Sequence, residues 1–137
     1  MSQIRENKAQ FQHLLQRLAQ IVVDVAPRDW TCAVIGYFLE GENEITHQQI
    51  HIWSMQADDY IDIMEAAWDC EEYDEAILEM GDLCAELRKC CASAGDRWTG
   101  MTFCLRRNGE FRADYSYDPI DAYNAWFIRD WQSRYLI

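Results

Sequence analysis

Met101-Thr102-Phe103-Cys104-Leu105-Arg106-Arg107-Asn108-Gly109-Glu110-Phe111-Arg112-Ala113-Asp114-Tyr115-Ser116-Tyr117 reads as two strands and the turn between them. Met101, Phe103 and Leu105 alternate with Gly100, Thr102 and Cys104, and Phe111, Ala113, Tyr115 and Tyr117 alternate with Arg112, Asp114 and Ser116. A period of two puts each set on its own face of a sheet. Asn108-Gly109 between them is the strongest short-range hairpin signal, because both residues tolerate the positive φ of a type I′ turn. Asp118-Pro119 ends the second strand. A sheet built from antiparallel hairpins is therefore the frame on which the rest must pack.

Working outward, Asp121 to Tyr135 is a terminal helix that turns Tyr123, Trp126, Phe127 and Trp131 toward that sheet. Upstream, Tyr73 to Ala92 carries Ile77, Met80, Cys84, Leu87 and Cys91 along one stripe and is closed by Ala94-Gly95-Asp96. Gln3 to Val25 is a second amphipathic helix, with Phe11, Leu14, Leu15, Leu18, Ile21, Val22 and Val25 on one side, ended by Pro27. Trp30 to Leu39, rich in β-branched and aromatic residues, and Glu44 to Ser54 form another hairpin around Glu40-Gly41-Glu42-Asn43. Poor alternation in Glu44 to Ser54, with His47 and His51 on one face and Ile50 and Ile52 on the other, predicts an edge strand. Ala57 to Asp69 suits a helix through Tyr60, Ile61, Met64, Ala67 and Trp68, with a third strand possible for part of it. The expected fold is α+β: an antiparallel sheet of about four strands, in two hairpins, with N-terminal, central and C-terminal helices packed on it, as one domain over residues 1–137.

The chain has 137 residues, half of them hydrophobic, which is ample for a core and too apolar for a disordered chain. No run approaches the roughly 20 apolar residues needed to span a bilayer. The polar start, Met1 to Lys8, has no signal-type apolar segment after it, so a cytoplasmic protein is expected. Cys32, Cys70, Cys84, Cys90, Cys91 and Cys104 contain no C-x-x-C pair and are expected to be reduced and mostly buried.

Charge is distributed unevenly. The net charge is −12, yet from Glu40 to Glu86 there are fifteen Asp or Glu and no Lys or Arg, while the remaining chain holds twelve bases against nine acids. Nucleic acid and anionic membranes are disfavoured partners on sign alone, and a basic protein is favoured. Acids at neighbouring helical positions without intervening Lys repel by a few tenths of a kcal/mol per pair, on the order of 2–3 kcal/mol for a dozen. A solvated inert face is the plain reading of any charge run. Such a cost is better explained when the field is used to steer a basic partner. Aromatic residues interleave with these acids, and Trp68, Tyr60 and Tyr73 are either core or anchors of an interface. The residues expected to bind a partner are Asp58, Asp59, Asp62, Glu65, Trp68, Asp69, Glu71, Glu72, Asp74, Glu75 and Glu79.

Catalytic chemistry finds little support. The histidines are His13, on the first helix, and His47 and His51, expected to face solvent or lie at a sheet edge. No nucleophile elbow, glycine-rich phosphate loop or Cys/His signature accompanies them. On a strand, His47 and His51 stand about 13 Å apart, too far to share one metal ion. No D-x-D-x-D-G loop offers calcium a cage. No enzyme activity, cofactor or metal is expected.

Trp98-Thr99-Gly100-Met101-Thr102-Phe103, Asn108-Gly109-Glu110-Phe111, Asp114-Tyr115-Ser116-Tyr117 and a closing helix with Trp126, Arg129, Trp131 and Tyr135 together resemble the YezG-type immunity protein family. Leu87-Arg88 within the preceding helix adds to the likeness, which is good over residues 73–137 and loose before them. Gly100, where a small polar residue is the family pattern, and the cysteine richness are departures. The resemblance implies an antitoxin of a bacterial polymorphic toxin system, binding a cognate toxin that is often a nuclease. It implies no functional residues, since the matching positions look structural. An acidic nucleic-acid mimic that regulates a basic DNA-binding protein is the alternative, followed by a small metal-dependent enzyme using clustered carboxylates.

Overall fold

A computed structural model describes residues 2–121 and 124–136, with the side chains of residues 2–7 left aside. Its elements run α1 (Ser2–Val25), β1 (Trp30–Glu40), β2 (Ile45–Ser54), β3 (Asp59–Asp62), α2 (Ile63–Ala66), a 3₁₀ turn (Ala67–Asp69), α3 (Glu71–Ser93), β4 (Gly100–Arg106), β5 (Phe111–Ser116) and α4 (Ala125–Tyr135). The strands form one antiparallel sheet in the order β3-β2-β1-β4-β5. The α+β expectation holds, with five strands. Tyr123 of the terminal helix lies outside the described residues.

The added strand is β3, in the stretch from Ala57 to Asp69 that suits a helix or, in part, a third strand. Tyr60 pairs with Trp53 and Ile61 with Ile52, and Asp62 then turns the chain into α2 by accepting the Glu65 amide as N-cap. With β3 outside it, β2 is an interior strand, not an edge. His51 is accordingly buried rather than solvent-facing, its Nε2 2.8 Å from Gln49 Oε1.

The sheet is covered on both faces. One buries Ala33, Ile35, Tyr37, Ile50, Ile52, Met101, Phe103 and Leu105 against Leu14, Leu15, Leu18 and Val22 of α1 and Met80, Leu83, Cys84 and Leu87 of α3. The other packs Val34 and Phe38 beneath Trp131 of α4 and Ile120. Gly36 makes this second contact possible. A Cβ there would stand 2.8 Å from the Trp131 ring and 2.7 Å from Phe38, so only glycine lets the indole lie against β1. Trp131 Nε1 donates to Thr102 Oγ1, satisfying both buried polar groups. Trp126, expected to pack on the sheet, is 72% exposed under Arg129 instead.

The β4–β5 turn departs from the type I′ expectation. Gly109 alone takes positive φ (94°); its N–H donates to Arg106 O, and Arg106 N–H donates to Glu110 O. This is a three-residue loop, a type I turn followed by a left-handed glycine bulge, in which Asn108 Oδ1 accepts the Glu110 amide. Trp98 and Thr99 act structurally. Trp98 is fully buried, its carbonyl accepts from Arg88 Nε, and Thr99 Oγ1 donates to Ser116 O and Asp118 O. Arg88 also pairs with Glu44 at 3.1 Å, joining α3 to the first hairpin loop.

No disulfide forms among the described residues. Cys84, Cys90 and Cys91 are buried and Cys32, Cys70 and Cys104 half-buried. Burial pushes the Cys84 thiol up to about 12, so it stays a neutral hydrophobe.

Candidate partner-binding surface

The acidic stretch runs from the β2–β3 turn to the middle of α3. Its first part is held in place by Asp29, just before β1. Asp29 Oδ2 accepts from Ser54 Oγ (2.7 Å) and the Gln56 amide, and its backbone carbonyl accepts from Met55 N–H. These donors hold the Asp29 carboxyl below its ordinary pKa, the Gln56 amide most strongly. The turn they fasten presents Asp58, at φ 50°, and Asp59, both exposed.

Asp62 is the inward member of the set. It is half-buried, caps α2 and stands opposite His51 in the β2–β3 register. Burial lowers the His51 pKa, an effect that Asp62 opposes. Glu65 and Asp69 are exposed around the 3₁₀ turn. Glu71, Glu72 and Asp74 occupy the first turn of α3, where the helix dipole favours them, and Glu75 and Glu79 follow, all exposed. None of these acids forms an ion pair among the described residues.

The interleaved aromatics separate clearly. Tyr60 belongs to the sheet: it meets Trp53 edge-on at 5.1 Å, with its hydroxyl 3.6 Å from Cys32 Sγ. Tyr73 is half-buried against the larger core. Trp68 is 89% exposed. An indole left so open costs hydration without contributing to the core.

Three residues not expected from the sequence join this side of the molecule. Asp24 of α1 lines a groove of about 350 Å³ with Glu72, Glu75 and Glu79, floored by Ile21, Val25 and Ala76. Leu78 on α3 is 67% exposed and Met55 in the β2–β3 turn 66%. Leu78 carried a signal, since it falls off the stripe of Ile77, Met80 and Cys84. Asp24 carried none, because nothing local says which helix lies beside it.

Among the described residues, no group of three or more His, Cys, Asp or Glu is placed to hold a metal ion. No helix among them is long and apolar enough to cross a membrane. The chain belongs to the YezG-like immunity protein family, whose model matches residues 11–132. It is similar to the immunity protein YezG of Bacillus spizizenii, at 25% identity over 123 residues that cover 80% of this chain and 70% of that protein.

Proposed function

We propose that this immunity protein acts in the bacterial cytoplasm as a stoichiometric antitoxin, binding a cognate toxin domain through the acidic surface built by the β2–β3 turn, α2, the 3₁₀ turn and the first half of α3. The observation that carries this reading is Trp68, 89% exposed within a run of carboxylates that no base neutralises. Interface hot spots combine such an aromatic anchor with charge that orients the partner. Acids at this density favour a basic toxin, and a nuclease fits best, because a surface that meets phosphate must be positive. The inhibitor then competes with nucleic acid for that surface. It performs no chemistry and needs no cofactor or metal; binding alone accounts for protection.

The test is direct binding to the toxin encoded beside it, with protection of cells on co-expression. The set Asp58→Asn, Asp59→Asn, Asp62→Asn and Glu65→Gln, and the set Glu71→Gln, Glu72→Gln, Asp74→Asn and Glu75→Gln, are each expected to leave the chain folded, relief of repulsion in the second set being offset by the lost helix-dipole contacts of α3, while slowing association roughly tenfold or more at low salt. Trp68→Ala is expected to speed dissociation by about 2 kcal/mol or more of lost affinity. Undiminished affinity in all three variants would place the interface elsewhere on the fold.

A further inference from the structure

The sheet has two unlike edges. β3 is four residues long, carries an acid at each end and runs directly into α2, features that discourage pairing with another strand. β5 is six residues long, leaves Phe111 about half exposed, and among the described residues has β4 as its one neighbouring strand. Hydrogen bonds fix the phase of its backbone. Arg107 N–H to Thr31 O places the odd-numbered phase of β4 against β1, and Arg106 N–H to Glu110 O places the even-numbered phase against β5. Thr99, just before β4, is shared, its O accepting from Leu39 N–H and its N–H donating to Ser116 O, which turns Ser116 inward as well. On β5, therefore, Arg112 and Asp114 bond inward, and the N–H and C=O groups of Phe111, Ala113 and Tyr115 point away from the sheet.

We infer that this edge pairs with β5 of a second copy of the chain, antiparallel across a two-fold axis at Ala113. In that register Ala113 meets its own symmetry mate and Phe111 meets Tyr115, so outward groups meet outward groups in about six hydrogen bonds. Arg112 and Asp114 then fall directly opposite each other's mates, in the pairs whose side chains approach most closely. Within one chain the two already form an ion pair at 3.4 Å on the α4 face, and Asp114 also accepts from Tyr135 Oη. Pairing converts this contact into a ring of four alternating charges. On the opposite face it sets Phe111 against Tyr115, a favourable aromatic cross-strand pair.

Net charge does not oppose the assembly. The acids concentrate at the β3 side, and joining β5 to β5 puts the two β3 strands nine strand spacings apart, about 43 Å. That is several Debye lengths at physiological salt, ~8 Å each. Both acidic surfaces face outward and stay available.

Sedimentation and light scattering of the full chain over a wide concentration range test this. Wild type is expected to associate to twice the 16.2 kDa chain mass. Ala113→Pro removes an outward N–H that β4 does not use, a substitution edge strands tolerate, and is expected to be monomeric with unchanged protection against the toxin. Arg112→Asp alone and Asp114→Arg alone each oppose like charges and are expected to be monomeric, whereas mixing the two variants restores a dimer. This mixing readout stands even if Ala113→Pro fails to fold. A wild type that is monomeric throughout overturns the inference. So does a dimer that survives the charge variants, or an edge needed for toxin binding by a monomeric chain.

Discussion

The two faces of the sheet are held by different means. Beneath α1 and α3, twenty-two buried residues interlock, among them Trp98, Phe103, Met101 and Leu18 with no exposure at all. Beneath α4, the buried hydrophobic cluster among the described residues is Val34, Phe38, Ile120 and Trp131, with His51 and Thr102 as buried polar neighbours. The first face binds two long helices, of 24 and 23 residues, with side chains that have no other place to go. The second binds an 11-residue helix through the Trp131 indole seated over the Gly36 gap, Phe127 edge-on to Phe38, and two side-chain hydrogen bonds, Trp131 to Thr102 and Tyr135 to Asp114. Global stability belongs to the first face. The second is a docked element whose seat can be loosened while the larger core persists.

Phe103→Ala breaks the stronger side and has the largest expected effect, a loss of about 3–5 kcal/mol in denaturant unfolding with a single cooperative transition. A smaller loss would mean that α1 and α3 collapse into the space. Trp131→Ala strikes the weaker side and strands the Thr102 hydroxyl, with an expected loss of about 3 kcal/mol. Hydrogen exchange should show α4 amides exposed first, while those of β1 and β4 keep their protection; uniform loss across the sheet would show that the faces are not separable. Gly36→Ala needs no side chain deleted. It pushes a methyl into Trp131 and Phe38, for an expected loss of about 1–3 kcal/mol, visible as altered near-ultraviolet dichroism.

Sequence reading reached these two faces unequally. The large core followed from period and nothing else: the α1 and α3 stripes and the Met101-Phe103-Leu105 alternation are complete in the residues themselves. The α4 face depended on β3, and β3 is too short to show a period, with only Tyr60 and Ile61 between acids. With β3 open between helix and strand, β2 reads as an edge and His51 as a surface residue. The candidate surface was legible as charge, since acids without bases need no structure to be counted. Trp68 was legible only as either core or anchor, because a 3₁₀ turn between two helices has no face that periodicity can assign. Asn108-Gly109 located its turn correctly, but the loop length chose the glycine bulge over type I′.

The smallest expected effect sharpens the comparison by pH. Burial lowers the His51 pKa against an ordinary value of 6.5, and Asp62 across the strand pair opposes the shift without reversing it. The unfolded chain therefore takes up a proton that the folded chain refuses. Stability is complete above pH 6.5 and declines as pH falls below it, toward the lowered folded value. His51→Phe should flatten that slope in melts taken between neutral and mildly acidic pH, with the α4 signals changing most. An identical slope in the variant would show that His51 does not carry the acid sensitivity in this range; Asp29, held below its ordinary value of 3.8, loses its contribution only at lower pH.

The Gly36 gap also bears on how the molecule is made. During synthesis β1 emerges early, with Val34 and Phe38 bare on the side that α4 eventually covers, and α4 follows every strand in the chain. Throughout that interval the nascent sheet carries a greasy notch with no side chain to plug it, the sort of surface that chaperones hold. The indole can dock only after every strand has been made, so a delay in docking α4 leaves that apolar notch open to other chains.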